Sequence, residues 1–293
     1  MNSQLSEKIH QYSATFSKGQ KQIARYIEEY PDRVAFMTAA KLGLTVGVSE
    51  STVVRFATEI GYSGYPALQQ AMQEMIRSKL TSLQRLRMSM EQFDREKILE
   101  AVLDKDSAIV KRTKENMDQE AFYEAVKALV GVKKVYILGA GSSLALATFL
   151  SHYCELIYDN VHLIDATGEA RIYQQMISAD KDDAIIAMSF PRYSKKAVKA
   201  LDFAQNLGAV TIAITDSESS PLVKHASHVL LAKSEMVSFV DSLVGPLSLI
   251  NALIVALAME KQAEVAEKLD RIERIWDEYG VYEKVDEKIN DEE

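Results

Sequence analysis

The stretch Val135–Ser143, VYILGAGSS, most constrains what this chain can fold into. Four apolar residues, Val135 to Leu138, have the length and character of a buried parallel strand. They lead into Gly139-Ala140-Gly141, then Ser142 and Ser143, then an apolar helical run from Leu144. A glycine turn between strand and helix lets the backbone approach a ligand closely. The helix N-terminus supplies free N–H groups and partial positive charge. With Gly141, Ser142 and Ser143 at that point, the fitting ligand is an anion, most simply a phosphate. A glycine pair also serves in an ordinary tight βα turn, so a second observation is needed. The dinucleotide fingerprint requires a third glycine where Leu144 stands, and the P-loop requires Gly-Lys-Ser/Thr; neither is present. No cofactor is expected.

The second observation is Ala184–Ser189, AIIAMS, another apolar run with strand character. It ends in Phe190-Pro191-Arg192-Tyr193-Ser194-Lys195-Lys196 before a helical pattern resumes. Two strand ends, each carrying hydroxyls into a helix start, predict one anion site at the carboxyl edge of a parallel sheet.

The flanking sequence supports that sheet. Helical patterns at Leu144–Tyr158, Gly168–Ile177 and Lys195–Asn206 alternate with strand patterns at Val161–Ile164, Ala184–Ser189, Val210–Thr215 and Val229–Leu231. A short helix follows Pro221, and a long one spans Ser242–Glu260. Such alternation predicts a doubly wound parallel sheet covered by helices. The stretch Leu243–Met259 is the longest apolar run, but Ser248 and Asn251 interrupt it, and it fits a buried helix better than a membrane span. The tail from Val265 is acidic and helical.

The first 80 residues have a different grammar. In Gln20–Tyr30 the apolar residues Ile23, Ala24 and Ile27 share a helical face, and Pro31 closes the segment. A second helix covers Thr38–Leu44, and a third runs from Ser49 to about Ile60, before Gly61. The last two fit a helix-turn-helix frame over Ala39–Thr58. Gly43 is the small residue where the helices pack, although it softens the first helix by up to about 1 kcal/mol relative to alanine. Gly47 tolerates the positive φ of the turn. Leu42, Val46, Val48, Val53 and Phe56 lock the pair together. Ser49, Glu50, Ser51, Thr52 and Arg55 are left outward, and short polar side chains with an arginine suit base edges and phosphates in a major groove. A helix over Ala67–Leu80 and a polar, helix-prone connector over 81–117 follow.

Charge distribution agrees with this division. Residues 1–80 carry 9 Lys and Arg against 7 Asp and Glu, a net of +2; the rest carry 25 against 35, a net of −10. An acidic chain is not coated wholesale by nucleic acid, but a mildly basic head can touch it. With 47% hydrophobic and 26% charged residues the composition is globular. The single cysteine, Cys154, excludes an intrachain disulfide and suits a reducing cytoplasm. The polar opening MNSQLSEKIHQYS does not read as a secretory leader. The five histidines, at 10, 152, 162, 225 and 228, do not cluster, so no metal site is expected.

Together these motifs resemble the RpiR/MurR-type bacterial transcriptional regulators. The head, Ala39-Ala40-Lys41-Leu42 through Gly47-Val48-Ser49-Glu50-Ser51-Thr52-Val53-Val54-Arg55-Phe56 to Gly61-Tyr62-Ser63-Gly64-Tyr65, is similar to their N-terminal domain. The body resembles the sugar isomerase (SIS) domain with which they sense phosphosugars, through Gly139–Ser143, Ser189–Ser194 and Ala213-Ile214-Thr215-Asp216 with Ser220-Pro221-Leu222. The resemblance implies a helix-turn-helix DNA-binding domain at 1–80, a helical linker at 81–117 and an α/β SIS domain at 118–293. It adds Lys41 to the DNA-facing residues. It implies a phosphate held by Ser143, Ser189 and Ser194, with Ser142 nearer the sugar and Tyr193 and Phe190 in the walls. The second loop departs from the common Ser-x-Ser-Gly-x-Thr pattern: Pro191 replaces a serine, Arg192 the glycine and Ser194 the threonine. Arg192 is therefore expected to take over part of the phosphate clamp, since a guanidinium matches phosphate bidentately. In isomerases of this fold a glutamate after the last strand moves the proton, and Glu235 falls near that place. No lysine or histidine follows closely behind it, so Glu235 reads as a sugar-hydroxyl acceptor or a solvated charge.

The expected function is a phosphosugar-responsive transcriptional regulator, not an enzyme. Its expected partners are operator DNA, a phosphosugar and further copies of itself, as a homodimer or homotetramer, with no membrane. An aldose–ketose isomerase is the alternative, and it leaves the head without a role.

Overall fold

The computed structural model describes residues 3–77 and 80–283. Residues 78 and 79 of the expected helix Ala67–Leu80, and the last ten residues of the acidic tail, lie outside the described residues. The chain divides into two compact units. One comprises the residues up to Lys105 with Glu235–Ser242, and the other comprises Asp106–Ser234 with the residues from Leu243.

Apart from Glu235–Ser242, where Met236 and Asp241 form an isolated antiparallel bridge, the first unit is helical: α1 (Ser3–Tyr12), α2 (Lys18–Glu29), α3 (Pro31–Val34), α4 (Ala39–Val46), α5 (Glu50–Glu59), α6 (Tyr65–Arg77) and α7 (Ser82–Gln92). The helix α8 (Ile98–Glu115) gives its residues up to Lys105 to this unit and the rest to the second. Each start has a local cause. Ser17 and Gln20 form a reciprocal capping box at α2, and the Thr38 hydroxyl accepts from the Lys41 amide at α4. Pro31, expected only to end a helix, occupies the first turn of α3, where a missing N–H costs nothing. Helix α1 was not anticipated; Leu5 and Ile9, one turn apart, are its anchors in the core. That core is closed by Ile23, Ile27, Leu42, Val53, Phe56, Ile60, Leu68 and Met72, all buried.

The second unit runs α9 (Gln119–Val130), β1 (Val135–Gly139), α10 (Ser143–Ile157), β2 (Val161–Leu163), α11 (Glu169–Met176), β3 (Ala184–Met188), α12 (Lys195–Asn206), β4 (Val210–Thr215), β5 (His228–Leu231), α13 (Val244–Glu260) and α14 (Gln262–Tyr279). The segment after Pro221, expected as a short helix, is a three-residue 3₁₀ turn at Val223–His225. The sheet is five-stranded and parallel, in the order β2-β1-β3-β4-β5. Its pleat feeds two cores, because successive strand side chains point to opposite faces. Val135, Ile137, Ile186 and Met188 pack with Leu146, Leu150, Leu253 and Leu257 from α10 and α13. Tyr136, Leu138, Ile185 and Ala187 pack with Ile172, Ala197 and Leu201 from α11 and α12. All five residues of β1 are buried, as a doubly covered strand requires. Among the described residues no single helix is long and apolar enough to cross a membrane.

Candidate functional sites

Sheet order locates the first site. The chain passes from β1 to β2 on one side and then crosses to β3 on the other, so the strand order reverses at β1. Parallel sheets open a crevice at such a switch point, beyond the carboxyl ends of the strands. Gly139 lies opposite Met188 in the β1–β3 register, so the two loops singled out above leave adjacent strand ends side by side.

In the first loop the glycines do different jobs. A Cβ on Gly139 would lie 2.2 Å from the backbone oxygen of Ser143, so only glycine lets the start of α10 fold back so tightly. Gly141 has φ +63°, the left-handed region that favours glycine. Ser142 is exposed and makes no side-chain cap bond, whereas Ser143 is buried. The hydroxyl of Ser142 is thereby left for other partners at the N-terminus of a 15-residue helix.

The second loop is held from within. Ser189 is buried, and its Oγ accepts from the Ser194 amide at 2.9 Å. A hydroxyl that accepts one bond still has its own proton to donate. Ser194 caps α12 by accepting from the Ala197 amide at 3.4 Å. Thr215 Oγ1 lies 2.7 Å from the Ser189 carbonyl oxygen and 2.8 Å from Ser220 Oγ, tying this loop to the end of β4. Tyr193 donates its hydroxyl to Asp216 Oδ1 at 2.9 Å, so this ring, expected in a pocket wall, also fastens one loop to the next. Arg192 is exposed and has φ +69°, the only non-glycine among the described residues in that region. It adopts the left-handed conformation at the very position where the resemblance expects glycine, at a cost of about 1 kcal/mol. Glu235 belongs to the helical unit rather than to the α/β unit that carries both loops, and its carbonyl accepts from the Ser242 amide at 2.8 Å. Among the described residues no cluster of His, Cys, Asp or Glu could hold a metal ion.

The second site is the pair α4 and α5. Gly47 ends α4 with φ +75°, and the Val48 amide donates to the Gly43 carbonyl at 2.9 Å. A Cβ on Gly43 would lie 2.8 Å from the Val48 carbonyl oxygen, which is backbone and cannot step aside. Close approach therefore explains the glycine, despite its cost in helix propensity. Ser49 caps α5 through the Thr52 amide at 3.3 Å, and its Oγ lies 2.9 Å from Ser51 Oγ and 2.8 Å from Thr52 Oγ1. Ser49 and Thr52 are thus engaged in the cap, with Thr52 half-buried. Lys41, Glu50, Ser51 and Arg55 are exposed as expected. Val54 and Thr58 are exposed as well and were missed, although helical spacing from Ser51 places both on the Arg55 face.

Residues 3–79 match the model of the helix-turn-helix domain of the rpiR family, and residues 128–256 match that of the SIS domain. The chain belongs to the RpiR family of transcriptional regulators. An HTH-type transcriptional regulator of Caldanaerobacter subterraneus is 24% identical over 274 residues, which cover 91% of this RpiR-family chain and 95% of that protein. The sugar isomerase domain of an RpiR transcription factor from Sphaerobacter thermophilus is 28% identical, with a TM-score of 0.58, covering 61% of this chain and 99% of that domain. The NanR protein of Vibrio vulnificus, solved in complex with ManNAc-6P, shares the fold at 19% identity and a TM-score of 0.56, covering 93% and 97% of the two chains.

Proposed function

We propose that this RpiR-family regulator binds operator DNA through α4 and α5, and that a phosphosugar in the β1/β3 crevice sets its affinity for that DNA. The observation that carries the reading is the pairing of two hydroxyl-bearing loops at the topological switch point of one unit with a helix-turn-helix in the other. Ser142, Ser143, Ser189 and Ser194 supply hydroxyls, Gly141 lets the backbone approach, and Arg192 supplies a guanidinium at the loop's exposed edge. The NanR complex with an N-acetylated sugar phosphate supports the ligand class. Residues 1–80 carry the DNA contact, 118–293 the ligand contact, and 81–117 connect them; the division between the two units falls inside that connector. A homodimer or homotetramer would present paired heads to a palindromic operator.

A regulatory role is favoured over isomerisation by the helix-turn-helix match over residues 3–79, which an isomerase would leave without a role. The test is a thermal-shift screen against phosphosugars and their unphosphorylated parents. A phosphosugar that raises Tm while its parent does not supports the site, because a ligand of the native state stabilises it by mass action. Silence across the panel, or equal shifts with the parents, counts against it, as does turnover of any sugar phosphate against the non-enzymatic reading.

A further inference from the structure

We infer that Val54 reads the C5-methyl group of a thymine in each operator half-site, an assignment that rests on the DNA-binding reading above. In α5, Val53, Phe56 and Ala57 face the core and are fully buried. The opposite face carries Glu50, Ser51, Val54, Arg55 and Thr58, with Val54 at its centre and 39% exposed. A valine there contributes no core packing, and its branched Cβ loses rotamer freedom in a helix.

Its polar neighbours are already partly engaged. Thr58 Oγ1 donates to the Val54 carbonyl at 2.9 Å, and Ser51 Oγ lies against Ser49 Oγ at the cap. The centre of the outward face is therefore apolar, not a row of free hydroxyls. In the major groove the apolar group that base pairs display is the thymine methyl, so an exposed valine on a recognition helix has one natural counterpart. Arg55, the next residue, matches the O6 and N7 acceptors of guanine. The structure thus assigns a thymine to each half-site. Leu44, 87% exposed, is another bare aliphatic in the frame, but it lies on α4, the helix that crosses the backbone in this docking geometry. It serves as the control.

The experiment uses the full chain. Its binding site is recovered by selection from random duplexes, and each thymine of the half-site is then replaced singly by deoxyuridine, which removes only the methyl. Affinities are read by fluorescence anisotropy. The wild-type chain is expected to lose about fourfold at one thymine position, and about fifteenfold when both half-sites are changed, the worth of one buried methyl each. Val54→Ala is expected to bind the thymine and deoxyuridine duplexes alike, while Leu44→Ala keeps the wild-type sensitivity. Both side chains are exposed, and circular dichroism checks that both variants fold. The assignment is overturned if no thymine replacement weakens the wild-type chain, or if Val54→Ala remains as sensitive as wild type. A selection that recovers no duplex overturns the DNA-binding reading itself, and this assignment with it.

Discussion

Arg85 and Asp241, 156 residues apart, form a two-oxygen ion pair in which Arg85 Nη1 lies 3.0 and 3.1 Å from the carboxylate oxygens. The Arg85 side chain is fully buried, and Asp241 is 14% exposed. The pair fastens the excursion Glu235–Ser242 to α7 within the helical unit. Ser89 Oγ lies 2.6 Å from Ser238 Oγ, and Lys105 Nζ donates to the Met236 carbonyl at 2.7 Å, in the same attachment. Asp241→Asn removes the countercharge of a buried guanidinium, which costs about 3 kcal/mol or more. Urea denaturation followed by circular dichroism should show that loss, with Asp241→Glu recovering part of it.

The two glycines of the first loop, Gly139 and Gly141, should differ in what an added methyl costs. Gly139→Ala drives a Cβ to 2.2 Å from backbone, so about 3 kcal/mol of stability is lost as β1 and α10 part. Gly141→Ala meets no atom within 4 Å and carries only the cost of its φ of +63°, about 1 kcal/mol. Thermal denaturation of the two variants orders them, and a reversed order would contradict the described packing.

Arg192 separates charge from backbone strain. Arg192→Gly relieves a left-handed non-glycine residue and should stabilise the fold by up to about 1 kcal/mol, whereas Arg192→Ala keeps the strained backbone. Both variants lose the guanidinium and should bind a phosphosugar roughly tenfold more weakly, the worth of one charge-assisted hydrogen bond. Calorimetric titration of the pair checks this.

Alkaline pH should loosen the fold through three buried groups. Burial pushes the Cys154 thiol and the Tyr65 phenol up to about 12, and raises the Tyr158 phenol further. In the unfolded chain the same groups ionise near pH 8.5 for cysteine and about 10 for tyrosine. The native state therefore retains protons that the unfolded state releases. The contribution of these three groups is fully present below about pH 8.5 and is lost as pH rises toward 12. Tm measured from pH 7 to 11 should decline from about pH 9, and Cys154→Ala should delay the onset.

The parts of this structure written in local patterns were legible. Short apolar runs placed every strand of the sheet, and the period-3.6 signal placed the helices α2, α4, α5 and α10, within a few residues. Helix α1 escaped because only Leu5 and Ile9 anchor it among polar residues. Strand order is not a local property, so the switch point came only with the fold. The Glu235–Ser242 excursion was illegible for the same reason: its partners Arg85 and Ser89 lie about half the chain away, and no spacing announces them. Gly43 looked like a weakness until the Val48 carbonyl appeared against it. Val54 offers no polar group that would mark a DNA contact, although its place on the Arg55 face follows from helical spacing alone.

The central claim is that the crevice and the recognition helix are coupled, and one titration tests it most directly. Operator affinity of the full chain is measured by anisotropy with and without each member of a phosphosugar panel, in wild type and in a Ser143→Ala, Ser189→Ala double variant. The account predicts that one phosphosugar changes operator affinity at least about tenfold, equivalent to 1.4 kcal/mol of coupling. Its unphosphorylated parent has no such effect, and the double variant binds operator but ignores the ligand. Operator affinity that is unmoved by every phosphosugar, or moved equally by the parent sugar or in the double variant, would contradict it.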